Sequence, residues 1–203
     1  METITKVFNV YDYTELSESA KEKVREWYLD DDLRPEMFTE SIDIWLSENF
    51  KNSELKVQYS LNYCQGDGLN IYGKVYLDEL YEKVSERPDF NLSEKEQKFI
   101  KWVFTRAYWY VEIPQNWRYC YCIADRVDFT EEIIQDLEYD GIRNINFSAL
   151  EKFNELCQNY FTDLCGEYEQ AGYKYFYEPD EDEIIDMCAA NEWKFTEDGE
   201  FYC

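Results

Sequence analysis

Histidine is absent from this chain of 203 residues, and glycine (7) and proline (4) are scarce. Without histidine, the serine–histidine–aspartate and cysteine–histidine arrangements of hydrolases are excluded. The phosphate-binding pattern GxxxxGK[ST] is missing too, and the clustered glycines Gly66, Gly68 and Gly73 do not have GxGxxG spacing. These absences weigh against an enzyme, and we expect no catalytic residue and no cofactor.

Long apolar runs are also lacking. No stretch approaches the roughly 18 apolar residues that cross a bilayer. The first residues, METITKVFNVYDYTEL, lack the basic and then apolar pattern of a signal peptide. We therefore expect a protein of the cytoplasm.

Metal-binding and disulfide patterns are missing from the cysteines. There are seven, an odd count without a CxxC pair, which favours reduced thiols. The only close pair is Cys120 and Cys122, and zinc sites usually need two such pairs. We expect no metal site, and we expect Cys157, Cys165 and Cys188 to fill apolar helix faces.

Basic residues are few, and acidic ones are abundant. Lys and Arg total 20 against 45 Asp and Glu, for a net charge of −25 and a pI near 4.2. Such a charge repels nucleic acids and anionic membranes and attracts basic surfaces. Because 45% of the residues are hydrophobic and 19% aromatic, the chain should fold. Two interpretations stay open: acidity for solubility or high salt, and an acidic surface for a basic partner.

The apolar spacing predicts an α+β fold, in which a small antiparallel sheet with β-hairpins packs against several amphipathic helices in a single domain, 1–203. A strand is expected from Ile4 to Val10 and another from Tyr119 to Ile123, with a hairpin between 55 and 77 and a second one turning at Asp198–Gly199. Helices are expected at 14–28, after Pro35, at 79–86, from Ser93, near 130–137, from Ser148 and at 180–191, with capping boxes at Ser93/Glu96 and Ser148/Glu151.

The stretch NYCQGDGLNIYG, from Asn62 to Gly73, predicts the hairpin turn. A two-residue Asp67–Gly68 turn would put the two apolar rows on opposite faces of the sheet. A three-residue loop, Gly66–Gly68, pairs Tyr63 with Ile71 and puts both rows on one face. The register therefore predicts a three-residue loop that needs no ligand.

Carboxylates cluster in three segments of the sequence. Neither Asp30–Asp32 nor the run Glu181–Glu183 fits the D-x-[DN]-x-[DN]-G calcium loop. DNA carries one charge per about 1.7 Å of axis, and its binders present Lys and Arg at matching intervals. Rows of carboxylates can thus imitate phosphates, although solvated helix faces are the alternative. The candidate phosphate surrogates are Asp30, Asp31, Asp32, Asp128, Glu131, Glu132, Asp136, Glu138, Asp140, Glu178, Asp180, Glu181, Asp182, Glu183 and Asp186.

Three motifs resemble a family of acidic, largely uncharacterised bacteriophage and prophage proteins. YTELSESAKEK (Tyr13–Lys23) is similar to the family's "ELS..AK.KA" helix, QGDG (Gln65–Gly68) to its "SQGDGA" hairpin, and ANEWKFTEDG (Ala190–Gly199) to its "ANGYEFTEDG" ending. Cys64, Leu69 and an aromatic-rich insertion at about 80–120 depart from the family's pattern. The resemblance implies a phage accessory protein and supplies no catalytic residues.

Together, the charge and the resemblance predict an anti-defence inhibitor. It would bind the basic nucleic-acid channel of a host defence protein in the infected bacterial cytoplasm, most readily a CRISPR effector and otherwise a nuclease. Aromatic residues of the insertion would anchor the interface or form ordinary core; they are Tyr108, Trp109, Tyr110, Trp117 and Tyr119. The alternatives are a phage regulatory or structural binding module and a carboxylate-dependent hydrolase.

Overall fold

A computed structural model of the chain describes Val7 and residues 9–107, 109–116, 118–178 and 180–202. Over these ranges the α-helices are α1 Glu18–Leu29, α2 Arg34–Asn49, α3 Leu77–Ser85, α4 Glu94–Phe104, α5 Thr130–Tyr139, α6 Phe147–Tyr177 and α7 Glu181–Ala190. The strands are β1 Glu54–Ser60, β2 Gly68–Tyr76 and β3 Tyr110–Ile113. The predicted α+β class is confirmed. The strand expected from Ile4 to Val10 falls largely on residues outside these ranges.

The chain divides into two compact units. The first comprises Met1–Met37 with Gly172–Cys203, and the second comprises Phe38–Ala171. The division falls inside α2 and α6. The single-domain organisation inferred from the sequence stays a prediction.

In the first unit, α1 and α7 enclose a small apolar core. Ser17 caps α1, because its Oγ accepts a hydrogen bond from the Ala20 N–H at 3.3 Å. The buried side chains recur at helical spacing and meet those of α7 and the C-terminal segment; they are Tyr13, Leu16, Ala20, Val24, Tyr28, Ile184, Cys188 and Phe195.

The C-terminal segment of the first unit turns at Asp198–Gly199, as predicted. The Thr196 N–H donates to the Glu200 carbonyl at 2.9 Å, and Gly199 has φ +84°. Phe195 also exchanges two backbone hydrogen bonds with Tyr11, at 2.9 and 3.0 Å. The segment thereby brings its aromatic side chains onto α1.

In the second unit, the antiparallel sheet has the order β1-β2-β3. The apolar residues Leu69, Ile71 and Val75 point to one face of β2 and are buried, so this face is the core face. The Ser93/Glu96 capping box of α4 is confirmed. The core is rich in packed rings, including Phe50 with Phe161 at 6.2 Å and Phe104 with Phe153 at 5.9 Å.

The predicted three-residue loop of the hairpin is wrong. Ser60 pairs with Gly68 and Val57 with Ile71, so seven residues, 61–67, connect the strands. The predicted and observed registers differ by an even number of residues, and both keep the apolar rows on one face. Alternation alone cannot distinguish such registers; the loop's own hydrogen bonds decide, as described below.

Two further sequence predictions are corrected. Asn146, rather than Ser148, caps α6, since its Oδ1 accepts from the Ala149 N–H at 3.2 Å. The strand expected from Tyr119 to Ile123 is irregular backbone, and β3 takes the place beside β2 instead. Side chains of the sheet supply hydrogen bonds to the irregular segment, which therefore needs no strand partner.

Candidate partner-binding surfaces

The Asp67 carboxylate organises the 61–67 loop. It accepts hydrogen bonds from the Ser60 hydroxyl at 2.7 Å, the Asn62 N–H at 2.5 Å, the Cys64 N–H at 2.8 Å and the Cys64 thiol at 3.0 Å. These bonds, that of the Cys64 thiol foremost, hold the pKa of Asp67 far below its usual range. The hydrogen-bond donors that a phosphate would need in this loop are therefore already bound to the Asp67 carboxylate.

Two glycines of QGDG accommodate the irregular segment Pro114–Ile123. A Cβ at Gly66 would lie 2.2 Å from Cδ1 of Tyr119, and one at Gly68 would lie 2.7 Å from the Tyr121 Cα. The Cys120 N–H donates to the Gly66 carbonyl at 3.1 Å. Because these two glycines have no side chain, the aromatic segment can pack closely against them, and the loop backbone can adopt its conformation.

Two amide side chains of the sheet hold the same segment in place. Asn70 is fully buried; its Nδ2 donates to the Pro114 carbonyl at 3.3 Å and its Oδ1 accepts from the Ile123 N–H at 3.2 Å. Gln58 donates from Nε2 to the Asn116 carbonyl at 2.8 Å. The segment is thus a fixed layer on the sheet.

The five predicted aromatic anchors have different surroundings. Tyr108 lies outside the described residues, and Tyr119 is half-buried beside Gly66. Trp109 is half-buried, and its indole N–H donates to the Val103 carbonyl at 3.2 Å. Tyr110 is 49% exposed on β3, with the Lys74 ammonium 4.1 Å from its ring centroid. Trp117 lies outside the described residues. Tyr110 is therefore the anchor candidate with exposed ring surface, whereas Trp109 contributes to packing.

Helix α5 carries the acidic run of the second unit on its outer side. Its core side is formed by Thr130, Ile133 and Leu137. Asp128 precedes the helix, where its carboxylate accepts from the Thr130 N–H at 2.8 Å. The exposed carboxylates of the helix and its flanks are Asp128, Glu131, Glu132, Asp136, Glu138 and Asp140.

The spacing of these α5 carboxylates is close to that of phosphates. The four that belong to the helix, Glu131 to Glu138, span seven residue steps or about 10.5 Å, which is one interval per about 3.5 Å, against about 3.4 Å of axis per phosphate on one DNA strand. Of the six, Asp140 has an ion pair within the described ranges, with Arg106 at 3.6 Å. The others add uncompensated negative charge to one helix face.

In the first unit, part of the acidic run 178–186 is occupied by internal contacts. Glu181 pairs with Arg25 at 2.5 Å, and this hydrogen bond lowers the pKa of Glu181. Glu183 accepts from the Tyr28 hydroxyl at 2.6 Å, while burial, followed by Glu183, raises the pKa of Tyr28 to about 12. Asp180 caps α7. Glu178, Asp182 and Asp186 are exposed and have no such contact among the described residues.

Asp30, Asp31 and Asp32 lie between α1 and α2, and all three are exposed. Asp31 accepts from the Leu33 N–H at 3.0 Å just before α2 begins. A carboxylate is favourable there because the N-terminus of a helix is partially positive. The same aspartates follow the partially negative C-terminus of α1, and the immediate start of α2 offsets that repulsion.

Comparison with known proteins identifies no matching protein-family model, no similar curated protein and no similar solved structure. In the part of the chain that the structure describes, no group of His, Cys, Asp or Glu side chains is arranged to hold a metal ion. No helix in that part is both long and apolar enough to cross a bilayer.

Proposed function

We propose that this protein is an acidic inhibitor that occupies the nucleic-acid channel of a basic host protein. The observation that carries the proposal is the exposed carboxylate row on α5, whose charge spacing approaches that of a nucleic-acid strand. A rigid helix holds these charges in place, so little conformational entropy is lost when the partner binds.

The proposed setting is a bacterium infected by a phage. The resemblance of three motifs to acidic phage proteins supports a phage accessory role, and the net charge of −25 supports a basic target. A CRISPR effector is the target class that we favour, followed by a defence nuclease. Both hold nucleic acid in basic channels, where a competitor of matching charge prevents binding.

The test begins with capture from a lysate of a bacterial host treated with nuclease. Three baits run in parallel: the natural chain, an α5 variant (E131Q/E132Q/D136N/E138Q) and a control (E40Q/E48Q/E82Q/E155Q). The two variants remove the same charge, and every altered carboxylate is exposed and belongs to the second unit. Circular dichroism verifies that both variants stay folded.

We expect a nucleic-acid-binding protein to be captured by the natural chain and the control, and at least about tenfold less by the α5 variant. The purified partner should release duplex or single-stranded nucleic acid when the natural chain is added. Its affinity for the chain should fall steeply between about 0.05 and 0.5 M salt. A partner that binds chain and nucleic acid together, or binds the α5 variant as tightly as the control, would overturn the proposal.

A further inference from the structure

An aromatic cleft opens on the first unit beside Asp30–Asp32. Its volume is about 440 Å³, and its lining consists of Trp27, Tyr28, Trp193 and the three aspartates. Trp27 is 38% exposed although it belongs to a packed aromatic group. We refer to this feature as the Trp27 cleft.

The aromatic wall of the Trp27 cleft is held by neighbouring rings. Trp27 stacks on Phe201 with centroids 4.8 Å apart and planes 10° apart, and it meets Trp193 edge-on at 5.1 Å and Phe195 at 5.9 Å. Phe201 is itself 44% exposed. Solvent-exposed rings in a fixed arrangement are typical of interface anchors, which bury large area at low entropic cost.

The three aspartates that line the cleft supply its negative charge. Within the described ranges, none of Asp30, Asp31 and Asp32 forms an ion pair, whereas the nearby Arg25 is paired with Glu181. An occupant must therefore combine positive charge with a surface that packs on rings. The guanidinium group does both, since it is planar, stacks on aromatic faces and binds carboxylates in a bidentate manner.

The first unit already contains one guanidinium held by two aromatic rings and a backbone carbonyl. Arg34 lies with its Cζ 4.9 Å from the Tyr28 ring centroid and 4.0 Å from that of Tyr175, and it donates to the Tyr175 carbonyl. Tyr28 also lines the Trp27 cleft. The combination of rings and oxygen acceptors that holds an internal arginine is thus repeated at the surface.

We propose that the Trp27 cleft binds an arginine side chain of a protein partner. The inference rests on the proposed function only for the source of the arginine, which is the basic partner. It changes the role of Asp30–Asp32 from phosphate surrogates to direct ligands of a cation. Sequence reasoning missed Trp27 and Trp193, because their meeting depends on the C-terminal turn that folds onto α1.

The probe is the peptide acetyl-Gly-Gly-Arg-Gly-Gly-amide, with lysine and citrulline versions for comparison. Tryptophan fluorescence and the indole N–H signals in NMR spectra report binding at Trp27. We expect the arginine peptide to shift these signals and to bind roughly fivefold or more tightly than the other two. D30N/D32N should weaken binding roughly five- to tenfold, while D182N/D186N, with the same loss of charge elsewhere in the unit, should retain it.

Equal binding of the citrulline or lysine peptide would overturn the inference, as would equal binding by D30N/D32N and D182N/D186N. Asp31 is left unchanged because its carboxylate accepts from the Leu33 N–H just before α2. The α5 variant should bind the arginine peptide normally. A failure of the peptide test therefore counts against the cleft alone, and a failure of the capture test with intact peptide binding counts against the proposed function.

Discussion

At the scale of single residues, the hydrogen bond between Asp67 and Cys64 links the stability of the 61–67 loop to the protonation of these two side chains. The hydrogen bond to Asp67 is the main cause that raises the pKa of the Cys64 thiol, while it lowers the pKa of the carboxyl. Because the carboxyl pKa is lower in the folded state, its contribution to stability is present above the ordinary pKa near 4 and is lost as pH falls through the lower folded value. Both pKa shifts thus come from a hydrogen bond between two side chains at the surface.

We predict that D67N makes the Cys64 thiol more reactive. Cys64 is exposed, so its reaction rate at pH 8 depends on the thiolate fraction, which the neighbouring carboxylate lowers. Alkylation by iodoacetamide, followed by mass spectrometry of the Cys64 peptide, should be roughly two- to tenfold faster in the variant.

The buried Cys157 serves as the internal control for this measurement, since its alkylation should stay slow in both proteins. An unchanged Cys64 rate would show that Asp67 does not govern the thiol. Faster alkylation of Cys157 as well would show general unfolding of the variant.

At the scale of elements, the segment Pro114–Ile123 shows how an irregular stretch becomes part of a sheet protein. Its described residues, 114–116 and 118–123, belong to no strand, but Asn70, Gln58 and the Gly66 carbonyl bind its backbone. Its close approach depends on positions where the hairpin has no side chain. The hairpin and the segment therefore form one packing unit.

We predict that G66A destabilises the protein more than G141A. Both glycines have positive φ, at +94° and +81°, so both variants incur backbone strain of about 1 kcal/mol or more. The Gly141 Cβ would meet nothing within 4 Å, whereas the Gly66 Cβ would meet the Tyr119 ring at 2.2 Å. The difference in the free energy of urea unfolding should be about 1–3 kcal/mol. Equal losses would contradict docking of Tyr119 on Gly66.

Much of this element structure is predictable from local patterns in the sequence. Helical spacing located α1 and α4, and the Ser93/Glu96 pair located a helix start, because these signals lie within a few residues. The loop length was not predictable, because registers that differ by two residues share the same alternation. The Trp27 cleft was not predictable either, since residues more than 160 positions apart form it.

At the scale of the whole molecule, charge dominates the behaviour that we expect. The chain carries −25, and most carboxylates of the α5 row have no basic partner in the described ranges. Such an excess destabilises the folded state by repulsion and favours association with basic surfaces. Stability and binding should therefore respond to salt in opposite directions.

We predict that sodium chloride raises the thermal unfolding midpoint while it weakens partner binding. Screening of repulsion between about 0.02 and 0.5 M salt should raise the midpoint by about 5 °C, as followed by circular dichroism. The α5 variant, with four charges fewer, should show a smaller increase. A midpoint that is constant or falls with salt would contradict this account.

Asn70 influences which strand register the hairpin adopts. A slip of β2 by two residues past β1 and β3 would keep every apolar side chain on the core face, and hydrophobic burial alone would hardly oppose it. The slip would carry the buried Asn70 amide away from the Pro114 carbonyl and the Ile123 N–H. Unpaired buried amide groups cost about 1–3 kcal/mol each. The Asn70 side chain thus acts together with the hydrogen bonds of the Asp67 loop to make the near-identical registers unfavourable.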